Sequence, residues 1–154
     1  MSAKKKPVTA YGFMQELESD PEWVRERDER EAKHRKRAEM LDANESSLVA
    51  DLKAVGLDVD SVYDLVHSPN HDAIPVLAMH LSRDYHELIR EGIIRALSVR
   101  AAKDAVGSRL IEMFPAERNP VMQFAIANAL SQMYSYQDVS HLAGISEYRG
   151  LFAS

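Results

Sequence analysis

The chain has 154 residues, 45% of them hydrophobic, a formal net charge of −5 and no cysteine. That length fits one domain with a real core, and the missing cysteines exclude disulfides, thiolate nucleophiles and cysteine-based zinc sites. The acidic balance argues against a general nucleic-acid binder, whose affinity comes largely from a basic field.

Lys4, Lys5 and Lys6 are followed by no apolar h-region, and no apolar run approaches the ~18 residues of a membrane span. The expectation is a cytoplasmic protein without a membrane partner, opening on a flexible arm over 1–19. Asp20-Pro21 then reads as a helix start, cap followed by proline. Residues 22–39 hold six acidic and seven basic side chains. Glu26–Arg30, Glu29–Lys33 and Glu31–Arg35 are acid-before-base pairs at i, i+4, each worth about 0.2–0.5 kcal/mol on an isolated helix. A charged helix over 20–44 is predicted, anchored by Trp23, Ala38 and Leu41. Its KHRKR stretch (33–37) is a candidate nucleic-acid or acidic-partner contact; the acids just before it favour a solvated helix face.

From 46 to 72 the chain turns acidic, with Asp51, Asp58, Asp60, Asp64 and Asp72 against Lys53 alone. Gly56 should close the helix SSLVADLKAV. Asp58 and Asp60 are expected to cap the next helix, which holds Val62, Leu65 and Val66. Ile74, Leu77, Ala78 and Leu81 form one apolar helical face, with Asp72 as its expected N-cap.

Two stretches then repeat at an offset of 33: HELIREGIIRAL (86–97) and NPVMQFAIANAL (119–130). Leu88 matches Val121, Ile89 Met122, Gly92 Ala125, Ile93 Ile126, Ala96 Ala129 and Leu97 Leu130. That spacing is one stripe of a helix, with small residues where a neighbour can approach. The preceding segments match as well: Leu77 with Leu110, Ala78 with Ile111, His80 with Met113 and Leu81 with Phe114. Val106, Leu110, Met113 and Phe114 supply the second copy of the apolar face. Pro115 should stop that helix, and Asn119-Pro120 should start the next. Each unit is thus a helix, a turn and a second helix, in a repeat domain over 45–134. Residues 135–154 offer a short helix around 139–143 and a tail.

The turns (Asp84 to Leu88; Asn119-Pro120-Val121), the Ala-Leu endings and the segments LVADLKAVGLDVDSVYDLV (48–66), AIPVL and IREGIIRAL resemble small bacterial HEAT-like repeat proteins. Arg90 sits where that family often carries a basic residue, and Gln123 departs from it. The resemblance covers about residues 20–134. It implies an all-α fold of stacked helical hairpins, an α-solenoid, and by analogy a protein-binding role. Two good units are few for a solenoid, so either the flanking helices cap the ends or a second copy covers them.

No glycine-rich phosphate loop, GxSxG elbow or HExxH motif is present. His67, His71 and Asp72 could ligate a divalent metal in a hydrolase, but His71 lies in a loop and Asp72 already has a capping role. His80, matched by Met113, reads as a packing residue. The function expected is non-enzymatic and cofactor-free: binding of a protein partner. An inhibitor or immunity protein against a basic toxin is one concrete version. The candidate face comprises Glu91, Ile94, Arg95, Phe124 and Asn128 on the second helices. The competing reading packs Ile94 and Phe124 against a flanking helix.

Overall fold

A computed structural model describes residues 9–135 and 138. Its described residues are helical, with no strand among them. The chain divides into two compact units, Met1–Met40 and Leu41–Ser154. The helix expected around 139–143 lies outside the described residues.

The first unit holds α1 (Ala10–Glu18) and the start of α2 (Pro21–Ala54). A helix therefore occupies much of the stretch expected as a flexible arm. Thr9 caps α1, its hydroxyl accepting from Gly12 N–H at 3.1 Å. Asp20 does the same for α2, accepting from Glu22 N–H at 3.0 Å. The charged helix does not end near 44 as expected. Residues 22–54 contain neither glycine nor proline, so nothing interrupts the hydrogen-bond ladder. α2 contributes its residues up to Met40 to the first unit and those from Leu41 to the second.

In the second unit α2 ends at Gly56, as predicted. Gly56 has φ +90°, its N–H donates to Lys53 O, and Leu57 N–H reaches back to Leu52 O at 3.1 Å. That is a Schellman closure, with Leu52 and Leu57 both buried across it. α3 (Val62–His67) follows. Its cap is Ser61, not Asp58 or Asp60: Ser61 Oγ accepts from Tyr63 N–H, and Asp64 reaches back to Ser61 N–H. This is a capping box. Asn70, not Asp72, caps the short 3-10 turn His71–Ala73 that leads into α4 (Ile74–His80).

α5 (Glu87–Ala96), α6 (Lys103–Ala116) and α7 (Pro120–Met133) complete the unit. α6 continues one residue past Pro115, and Asn119 caps α7 through Val121 N–H. α4 packs on α5 and α6 on α7; α4 also meets α6, α5 meets α7, and α3 packs on α5. The matched stripe is the core. Ile89, Gly92, Ile93, Ala96 and Leu97 are buried, and so are Met122, Ala125, Ile126, Ala129 and Leu130. Leu88 and Val121, the outermost matched pair, fall outside it. The small residue at Gly92 does what its size suggested. A β-carbon there would lie 2.7 Å from Val62 Cγ1, so only glycine lets α3 approach this closely.

Candidate partner face and a buried polar chain

α5 is hemmed in by α3, α4 and α7. A helix with three neighbours keeps a narrow wet strip, and on α5 that strip is Glu87, Glu91 and Arg95 at i, i+4 and i+8. Ile94 is not part of it. With 1% of its surface exposed it is a core residue, and it leaves the candidate face. Phe124 goes the other way: it is 75% exposed on α7, and Val121, one turn earlier, is 55% exposed. Asn128, one turn later, is exposed as well. The competing reading thus splits, with Ile94 packed inside and Phe124 left in water.

Tyr63 of α3 joins this side. Its hydroxyl donates to Leu88 O at 2.7 Å. Burial raises its pKa above the ordinary tyrosine value; the Glu91 carboxylate adds to the rise and the Arg95 guanidinium opposes it. Arg90 points elsewhere. It donates to Glu117 Oε2 at 3.1 Å, while Glu117 Oε1 accepts from Asn119 N–H and Glu117 O accepts from Gln123 Nε2. Burial alone would raise the Glu117 carboxyl, but the hydrogen bonds from Asn119 and Arg90 outweigh it and hold the pKa below its ordinary value. Arg90 and Gln123, singled out by the family resemblance, thus converge on one turn.

The remaining sequence candidates do not assemble. His67 ends α3, and His71 and Asp72 lie in the 3-10 turn; all three are exposed. Among the described residues no three His, Asp or Glu side chains are placed to hold a metal ion. Residues 33–37 are all exposed on α2. Five consecutive positions at roughly 100° each wrap the helix rather than share one face.

A polar chain that sequence reasoning missed lies in the second unit. His80 is wholly buried. Its Nε2 lies 2.6 Å from Asp51 Oδ2, its Nδ1 meets the Tyr85 hydroxyl, and that hydroxyl lies 3.0 Å from Ser47 Oγ. Since a carboxylate only accepts, the Nε2–H donates to Asp51. Nδ1 then accepts from Tyr85 O–H, which accepts in turn from Ser47. Arg83 Nη1 at 3.4 Å from Nδ1 fits the same tautomer. A carboxylate orienting an imidazole is also how a general base is prepared. Here, however, Tyr85 occupies the nitrogen that would face a substrate and His80 has no exposed surface, so the chain ties α2 to α4 and the turn after it. Asn44, which accepts from His86 N–H at 2.8 Å, extends the same tie. Asn44, Ser47 and Asp51 at i, i+3 and i+7 form a polar row along α2, and that spacing was the available signal. Beside it Glu45, 3% exposed, accepts from Val62 N–H at 3.1 Å and from Ser61 Oγ. Its carboxylate sits at the positive end of α3.

No helix among the described residues is long and apolar enough to cross a membrane. Comparison with protein-family models, with curated proteins and with solved structures returns no match.

Proposed function

We propose that residues 41–133 act as a HEAT-like, non-catalytic interaction module, binding a protein partner on the outer side of α5 and α7 through Phe124, Arg95, Asn128 and Glu91. The stacked-hairpin reading is supported by the pairing of α4 with α6 and α5 with α7; the 33-residue period supports it as well. The observation that carries the binding reading is Phe124. A 75% exposed phenylalanine, with exposed Val121 one turn before it and exposed Asn128 one turn after it, has the chemistry of an interface anchor. The net charge of −5 suits a basic protein, and neutralising one as an inhibitor or immunity protein is the version that uses it best.

The test is affinity capture from the source cells with wild type, Phe124→Ala/Arg95→Glu, and a Met79→Ala control altered at an exposed residue away from the face. The captured partner is then purified and titrated. The reading expects one partner retained by wild type and the control, and bound at least about tenfold more weakly by the double variant. Equal affinity for all three overturns it.

A further inference from the structure

Residues 9–40 contain no buried side chain. Yet they carry Tyr11, Phe13 and Met14, all exposed on α1, and Met40, exposed on α2. The contacts holding this unit are weak: Arg27 lies 5.1 Å over the Trp23 ring and 3.9 Å from Glu18. Pairs of such exposure contribute little, and a nine-residue helix is marginal alone in water. The described residues of the unit carry exposed apolar side chains and bury none.

The charge pattern of α2 points to a partner for this unit. Glu22, Glu26, Glu29, Lys33, Lys36 and Met40 recur at alternating spacings of four and three residues. That is one continuous stripe of a helix. Its first half is acidic and its second half basic. Arg25 and Arg30 flank the acidic half as contrary charges; Arg37 and Glu39 flank the basic half, Arg37 extending it and Glu39 opposing it. Among the described residues Lys33, Lys36 and Arg37 enter no ion pair. Laid antiparallel on an identical stripe about a two-fold axis near Glu31, Glu26 meets Lys36 and Glu29 meets Lys33, each twice. Glu22 meets the Met40 end. A parallel pairing would set like against like. A stripe that complements itself only when antiparallel fits an isologous interface about that two-fold axis.

We infer that the unit Met1–Met40 is a dimerisation element, and that its α2 stripe pairs antiparallel with the same stripe of a second copy of this chain. None of the residues of this contact is among those of the proposed α5/α7 face.

The test uses the full chain in analytical ultracentrifugation over a range of concentrations and salt. Wild type should dimerise, more weakly as salt rises. Glu26→Lys/Glu29→Lys and Lys33→Glu/Lys36→Glu should each raise the dimer dissociation constant about tenfold or more. An equimolar mixture of the two variants should dimerise again, because each now complements the other. Helicity by circular dichroism identifies any variant that fails to fold, and the mixture supplies the rescue. A wild type that stays monomeric, a dimer indifferent to both variants, or a mixture that fails to re-form overturns the inference. So does a monomer that instead co-sediments with phosphatidylserine vesicles, which would give this surface to a membrane.

Discussion

His80 shows what one buried polar residue demands of its surroundings. The 33-residue offset aligns it with Met113, as a packing position, and it is buried. Its two ring nitrogens nonetheless need partners once water is gone, and Asp51 and Tyr85 provide them. His80→Met, which installs the matched residue, should therefore destabilise the protein by about 1–3 kcal/mol, because Asp51 and Tyr85 each lose a partner. Adding Asp51→Ala and Tyr85→Phe should recover part of the loss, since removing both sides of a hydrogen bond costs less than removing one. Urea denaturation of the two variants measures both effects, and an additive triple variant would refute the coupling. Glu117 makes the corresponding case for charge. Its pKa is lowered in the folded state, so the stability it supplies is present above the ordinary carboxylate value of 4.5. That stability is lost as pH falls through the depressed value. The gap in stability between wild type and Glu117→Gln should accordingly be widest at neutral pH and close in acid, when both are unfolded by urea at pH 7 and pH 3.

At the scale of elements, helix ends follow local chemistry and helix contacts follow size. Ser61 with Asp64, Asn119 before Pro120, and Gly56 after α2 are rules of sequence realised in place. The misassigned caps have a simple cause. Asp58 and Asp60 are good capping residues, but Ser61 stands directly before α3 and takes the bond; Asp72 lies inside the 3-10 turn that Asn70 caps. Gly92 belongs to the contact class. The approach of α3 to α5 leaves no room for a methyl group, with Val62 Cγ1 2.7 Å from where it would lie. Gly92→Ala should cost about 1–3 kcal/mol as an overpacked contact, even though alanine is the better helix former. A thermal melt that rises instead would mean that α3 yields without cost.

For the whole molecule, stability and binding should separate. Phe124 is in water, so Phe124→Ala should leave the melting temperature nearly unchanged while weakening the partner complex; a large loss of stability would assign Phe124 to the core. Much of the fold was legible beforehand. The 33-residue offset placed the buried stripes of α5 and α7, and glycine and asparagine-proline punctuation placed their ends. Those signals are local, because a helix repeats its environment every 3.6 residues and its caps lie within one turn. Tertiary packing alone decided two matters. A third neighbour beside α5 buried Ile94 and removed it from the candidate face. The row Asn44, Ser47 and Asp51 met His86, Tyr85 and His80 from the far side of the chain. Each depends on which helices become neighbours, and periodicity along one helix carries no information about how many others will surround it.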